Sequence, residues 1–383
     1  METIFLLGIV QAVFLALILL SKNNKMLADK ILCTWLFLLG AHLLSHYMQV
    51  TGLLKDYPVF HAFSVCFPML EGAFIFLYAK TITSKIQKFG KWDFVHVAHY
   101  IILTSILFIV VFFDDELTTK ESVHYLENNP TVLIITIGML NVFLGPFYLV
   151  LSYIRLIRHK KNISRNFSYT ENIDLKWLLY IVTIMGGVWL VVVITNLMVS
   201  YIDPAFGGNL IYIAVTLAVF FIGFFGIKQQ VIYASSLLIS EKEISSDKEI
   251  EVPQTPKVNR YEKSGLKPEE SSEYLTRLKA YMEEERPYLN GKLTLKETAE
   301  HLGISVNHVS QVINEQLDVN FFDFVNGYRV EEVKRLLADP EYKQYTLLTI
   351  AYDSGFNSKS SFNSVFKKFT GHTPSGYINQ ASV

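Results

Sequence analysis

The sequence predicts an all-α protein: a seven-helix transmembrane domain, then a cytosolic all-helical domain in which a long helix joins two helix-turn-helix units. Three observations predict it. Hydrophobic residues make up 51% of the 383-residue chain and charged residues 18%, with a mean hydropathy of +0.30; that is too apolar for an ordinary soluble protein. The apolarity is concentrated before residue 228, in runs long enough to cross a bilayer. From residue 271 the apolar positions fall three and four apart, interrupted twice by a glycine turn followed by a serine.

Backbone polar groups in hydrocarbon must be satisfied internally, and an apolar helix of about 20 residues does this. Spans are predicted near 3–20, 31–50, 59–79, 94–113, 131–154, 177–200 and 210–227. Lysine and arginine in the short loops set the orientation. One set of loops holds Lys22, Lys25 and Lys30, then Lys80, Lys85, Lys88 and Lys91, then Arg155, Arg158, Lys160, Lys161, Arg165 and Lys176. The other set holds only Lys55 and Lys120. The first set is therefore expected in the cytosol, with the N-terminus outside and residue 228 onward inside. The first span has Glu2 before it and Lys22 and Lys25 after it, which reads as an uncleaved anchor rather than a signal peptide. Cys33 and Cys66 both fall within spans, so neither a disulfide framework nor a zinc spacing is expected.

Residues 228–270 change character. Gln229–Ser240 can continue the last span, Glu241–Glu251 mixes acid and base, and Val252-Pro253-Gln254-Thr255-Pro256 is rich in breakers. This composition predicts a solvated linker.

Beyond it, Ser272 is the expected cap of a helix carrying Tyr274, Leu275, Leu278, Tyr281 and Met282 on one face, ended by Pro287 and Asn290-Gly291. Thr294-Leu295-Lys296-Glu297 is a capping box. Leu295, Thr298, Ala299 and Leu302 line one face, Gly303 supplies the turn and Ser305 the next cap. Val309, Val312 and Ile313 then face inward. Val306, Asn307, His308, Ser310 and Gln311 are left facing out, at the end of a helix where base edges are met. A helix from Phe321 to Leu337 follows, stopped by Asp339-Pro340. The pattern then repeats: Leu347, Ile350 and Ala351 face inward, Gly355-Phe356 turns, and Ser358 caps a helix with Phe362, Val365, Phe366 and Phe369 as its core face. Lys359, Ser360, Ser361, Asn363, Ser364, Lys367 and Lys368 form its outer face. After Asp353 the chain has three lysines and no carboxylate. Lysines there suit phosphates, and Asn and Ser suit base edges.

These residues carry a resemblance. Residues 271–380 resemble the DNA-binding domain of the AraC/XylS family of bacterial transcription regulators, through Leu302-Gly303-Ile304-Ser305, Arg329, Leu336-Leu337, Ile350-Ala351, Gly355-Phe356, Phe362, Phe366-Lys367-Lys368 and Thr370-Gly371-His372-Thr373-Pro374. The resemblance implies two recognition helices, Ser305–Gln316 and Ser358–Phe369, entering adjacent major-groove segments. It implies double-stranded DNA contacts from Asn307, His308, Gln311, Lys359, Ser360, Asn363 and Lys367, with Arg329 as a structural or phosphate contact. The chain departs from the family's pattern at Ile313, where Phe is frequent, at Asp318-Val319, where Gly is common, and at Ser364, where a basic residue is frequent. Residues 271–383 carry twelve Lys and Arg against fourteen Asp and Glu, so non-specific DNA affinity is expected to be modest. The resemblance does not reach residues 1–270.

Ionisable groups in hydrocarbon are costly and mark functional candidates. Glu71 lies midway along the third span, just after Pro68, which frees the carbonyl of Ser64. His42 and His46 lie one turn apart on the second span, with His61 at similar depth. Glu71, His42 and His46 are the expected sensing residues; a three-histidine metal site is the lesser reading, and neither a metal nor a cofactor is expected. Asn141, Gly145-Pro146 and Asn196 mark helix packing or a bend.

The sequence thus predicts a non-enzymatic, membrane-bound regulator in a bacterial cytoplasmic membrane, with its C-terminal domain in the cytoplasm. Its expected partners are double-stranded DNA, the lipid bilayer, an unidentified small-molecule or protein signal and, where the arrangement allows, a second copy and RNA polymerase. The alternative is a membrane transporter or enzyme with an appended regulatory helix-turn-helix domain, for which no nucleophile–base set or phosphate-cradling loop is visible.

Overall fold

The computed structural model describes residues 1–57, 60, 63–84, 89–113, 132–171, 173–198, 206–225 and 266–381. The expectations for His61, Lys85, Lys88, Lys120, the side chains of Lys55 and Asn196, and the linker from 228 to 265 fall outside the described residues. The fold is all-α. Two compact units are present, Met1–Arg158 with Leu175–Ile232, and His159–Asp174 with Tyr233–Val383.

The first unit contains α1 (Glu2–Ser21), α2 (Leu27–Val50), α3 (Phe67–Ile82), α4 (Val95–Phe113), α5 (Val132–Asn166, whose last turns belong to the second unit), α6 (Lys176–Leu197) and α7 (Phe206–Phe225). Among the described residues six helices are long and apolar enough to cross a membrane. The helix in the third predicted span, α3, has 16 residues, which at 1.5 Å each is short of a hydrocarbon core of about 30 Å. It is buried over 13 of its 16 residues, the pattern of a helix surrounded by others. Other helices carry exposed apolar side chains beside their buried ones: Leu7 and Val10 of α1 are 56% and 65% exposed. Outward apolar faces of this extent fit hydrocarbon surroundings.

Close helix approach depends on small residues here. A Cβ on Gly145 would lie 2.0 Å from the Trp189 ring of α6, and one on Gly72 of α3 would lie 3.1 Å from Gly145 Cα. Pro146 follows within α5, and Asn141 of the same helix donates to the Val65 carbonyl at 2.9 Å. Charged groups at the lysine-rich ends are tied down. Lys22 pairs with buried Asp29 at 2.8 Å, Lys80 pairs with Asp93, and Arg155 donates to Thr83 Oγ1 at 2.7 Å and Ser84 Oγ at 2.8 Å.

The second unit contains α8 (Pro268–Glu284), α9 (Leu295–Leu302), α10 (Val306–Leu317), α11 (Phe321–Ala338), α12 (Leu347–Asp353), α13 (Lys359–Thr370) and α14 (Pro374–Ala381). The start of α8 differs from expectation. Pro268 occupies its first turn, Glu270 accepts from the Lys267 amide at 3.2 Å, and Ser272 lies inside the helix, its carbonyl accepting from Thr276. A proline suits a first turn because that turn has no use for its missing N–H.

Two cores are built along α11. Its first half contributes Phe321, Phe324 and Val325 to a cluster with Leu278, Met282, Leu295, Ala299, Val309 and Ile313. Its second half contributes Val330, Val333 and Leu336 to a cluster with Ile350, Ala351, Phe356, Phe362, Val365 and Phe366. The helix is therefore the shared beam of two helix-turn-helix subdomains. The segment His159–Asp174 belongs to this unit as well: Phe167 forms a β-bridge with Thr294, and the Ser168 amide donates to the Leu293 carbonyl at 3.1 Å.

Candidate nucleic-acid interface

Each helix-turn-helix unit is fixed by local chemistry. Thr294 Oγ1 accepts from the Glu297 amide at 3.2 Å, and the Glu297 carboxylate accepts from the Thr294 amide at 2.7 Å. This reciprocal box satisfies two otherwise orphaned donors at the start of α9. Gly303 ends α9 at φ +65°, and Ser305 caps α10 by accepting from the His308 amide at 3.2 Å. In the second unit Thr346 caps α12 and Ser358 caps α13, accepting from the amides of Thr349 at 3.1 Å and Ser361 at 3.2 Å. Asp318, at the C-terminus of α10, has φ +52°, a conformation glycine adopts more cheaply. That conformation is a reason for glycine to be common at this position, and Asp318 adopts it here in glycine's place.

The expected outward residues separate into two groups. On α13, Lys359, Ser360, Asn363, Ser364 and Lys367 are all exposed along one face, and Lys368 beside them is paired with Asp323 at 2.6 Å. The helix has no acidic residue. On α10, Asn307 is exposed and His308 is half-buried, its ring stacked on Tyr274 with centroids 6.1 Å apart. Gln311 does not face solvent: it is 5% exposed and donates to Glu315 at 3.0 Å. Phe369 was expected in the core and is 43% exposed, its ring lying over Gly327 where α13 runs past the end of the second cluster.

Of the structural and phosphate roles expected for Arg329, its surroundings fit the structural one. It is 1% exposed, so it touches no DNA phosphate in this arrangement. Its guanidinium has five N–H donors, and five acceptors surround them. Nε donates to Tyr288 O at 2.8 Å, Nη1 to Ser168 O at 2.8 Å and Asn326 Oδ1 at 3.2 Å, and Nη2 to Asn290 O at 2.8 Å and Ser168 Oγ at 3.0 Å. Burial lowers its pKa to about 10, against the opposing field of Glu171, so it stays charged at neutral pH. Among these acceptors, Ser168 went unnoticed in the sequence, since a loop serine 161 residues from Arg329 carries no local signal of the pairing.

The first unit holds a separate polar cluster. His42 Nδ1 lies 2.5 Å from Glu71 Oε1, and His42 Nε2 lies 2.8 Å from the Tyr212 hydroxyl. With the tyrosine donating to Nε2, Nδ1–H donates to the carboxylate, a continuous Tyr–His–Glu chain. His46 stacks on Tyr212 with ring centroids 3.7 Å apart, and its Nε2 lies 3.1 Å from Asn209 Oδ1. His42, His46 and Glu71 are all buried. Glu71 thus pairs with His42, and Pro68 sits in the first turn of α3. Among the described residues no group of three His, Cys, Asp or Glu side chains is placed to hold a metal.

Comparisons with known proteins address the C-terminal part. A family model described as a helix-turn-helix domain matches residues 298–380. An uncharacterized HTH-type transcriptional regulator of Staphylococcus aureus (strain COL) is 40% identical over 85 residues, which is 22% of this chain and 11% of that protein. The melibiose operon regulatory protein of Escherichia coli (strain K12) is 29% identical over 85 residues, 22% of this chain and 27% of that protein. The chain thus spans only a small part of the length of these relatives. No solved structure gives a significant match.

Proposed function

We propose, from the premise that residues 298–380 form an AraC-type helix-turn-helix domain, that this chain is a membrane-bound, sequence-specific DNA-binding transcription regulator. A signal received in or across the bilayer changes how its cytoplasmic domain occupies promoters. The observation that carries the reading is the face of α13, where Lys359, Ser360, Asn363 and Lys367 are exposed together on a helix without a carboxylate. Lysines at the ends of such a face neutralise phosphates while Asn363 reaches base edges from the major groove. Asn307 and His308 of α10 make the second, weaker set of contacts.

Membrane residence is supported by the six long apolar helices and their outward apolar side chains. The cytoplasmic membrane of a bacterium is the location that leaves the C-terminal domain beside DNA. The buried His42–Glu71–Tyr212 chain, with His46 stacked against it, is where a proton or a polar ligand would alter helix packing. No residue is assigned a catalytic role.

The test is genome-wide crosslinking of the full-length protein to DNA in its native host, beside a variant carrying Lys359→Ala, Asn363→Ala and Lys367→Ala. Discrete peaks that vanish in the variant are expected. Peaks that persist unchanged in the variant would remove α13 as the reading element.

A further inference from the structure

The connection between α5 and α6 sits inside the DNA-binding unit. Bounded on both sides by long apolar helices, it nevertheless packs as part of the second unit. Five contacts hold it there. Phe167 pairs with Thr294, the N-cap of α9; the Ser168 amide donates to Leu293 O; Ser168 O accepts from Asn326 Nδ2 at 3.0 Å; and Ser168 accepts twice from Arg329. Ser168 is 1% exposed. Without this segment, two of the five Arg329 donors would lose their partners in a buried site.

The same segment reaches the second recognition helix. Ser358 Oγ accepts from the Ser361 amide at the start of α13 and donates to Glu171 Oε1 at 3.0 Å. A helix N-terminus favours a nearby anion, and when a helix-turn-helix docks on DNA that anion is a backbone phosphate. Glu171 therefore places the chain's own carboxylate where α13 would meet DNA.

We propose that Phe167–Glu171 is an intramolecular clasp: it docks through Ser168 into the Arg329 pocket and lays Glu171 over the N-terminus of α13, so the clasped form binds DNA less tightly than the released form. The inference rests on the DNA-binding reading above and supplies its regulation. Because both ends of the clasp continue into the apolar helices, a rearrangement of α5 against α6 pulls on it directly. No second protein is needed to pass the signal on.

The experiment uses the full-length chain in phospholipid nanodiscs. The probes are a random-sequence duplex DNA pool and the duplex enriched from that pool by the same protein. Affinities are measured for the unaltered protein, for Glu171→Gln, which keeps shape and removes charge, and for Glu284→Gln, which removes an exposed charge elsewhere. Hydrogen exchange of residues 167–171 is followed with and without saturating DNA. Glu171→Gln is expected to tighten binding about two- to fivefold, the range of a charge at a helix end, with Glu284→Gln unchanged. DNA is expected to speed exchange across the clasp. Unchanged affinity in Glu171→Gln, an equal gain in Glu284→Gln, or undiminished protection of Ser168 with DNA bound would each overturn the clasp while leaving the DNA-binding reading in place. Absence of sequence-dependent binding by all three proteins would instead overturn that reading, and the clasp's regulatory role with it.

Discussion

Lys367 and Asn363 lie one turn apart on the exposed face of α13, and the proposed function gives them different work. A lysine meets phosphates, which are the same at every sequence, so Lys367→Ala should weaken binding to all duplexes alike and flatten the salt dependence by about one unit. Asn363→Ala should change the preference at one or two base pairs and leave the salt slope alone. Selection from a random duplex pool, with affinity titrated against salt, separates the two; an unchanged site preference would strike Asn363 from the readers. Arg329 marks the limit of residue-level foresight. Its place on the connecting helix was visible in the sequence, but its burial was not, because its five acceptors come from Tyr288, Asn290, Asn326 and Ser168. A buried donor left unpaired costs about 1–3 kcal/mol, so those acceptors, rather than DNA, account for an arginine at this position. The partner of Glu71 was hidden for the same reason: His42 lies on another helix, and periodicity within α3 says nothing about which side chain faces it.

The two turn glycines look alike in sequence and differ in what they support. Gly303 has φ +65° and nothing within 4 Å of an added Cβ, while Gly355 has φ +87° and a Cβ there would lie 2.3 Å from Tyr288 O. Gly303→Ala should therefore cost only the left-handed backbone penalty, about 1 kcal/mol. Gly355→Ala adds a clash with the Tyr288–Leu289 backbone of the first subdomain, and should cost several kcal/mol in total, as for other overpacked sites. Thermal unfolding of the full-length variants checks the order; equal losses would mean the close approach at Gly355 is relaxed at no cost. Element boundaries were largely legible because caps are local. Thr294, Glu297, Ser305 and Ser358 each bond within three residues of themselves, and each was placed correctly. The start of α8 was misplaced because Ser272 resembles a cap as much as Lys267-Pro268 does, and only the neighbouring Glu270 bond decides between them. Gln311 and Phe369 went astray because a helical wheel knows the direction of a side chain but not where the neighbouring core ends.

At the scale of the whole molecule, the proposed membrane topology, and with it the side on which the C-terminal domain lies, turns on one short helix. Among the described residues six helices are long enough to cross unaided, and an even number would leave both ends of the first unit on one side. The lysine-rich connections argue for a seventh crossing by α3. Its 16 residues suffice if it spans at the centre of the bundle, where its near-complete burial against other helices replaces contact with lipid. The prediction is an alternation that single cysteines can read. Both native thiols are buried, so background labelling is low. Leu53→Cys, between α2 and α3, should react with a membrane-impermeant maleimide added outside intact cells. Phe89→Cys, between α3 and α4, and Lys160→Cys, near the end of α5, should react only after the cells are opened. Leu53 and Phe89 are exposed in the structure, as is Lys160, so access is not the limiting factor. Labelling of Leu53→Cys and Phe89→Cys from the same side would show that α3 does not cross. The lysine count would then no longer place residue 266 onward beside the chromosome, and a regulator bound to the membrane would lose the topology on which its access to DNA depends.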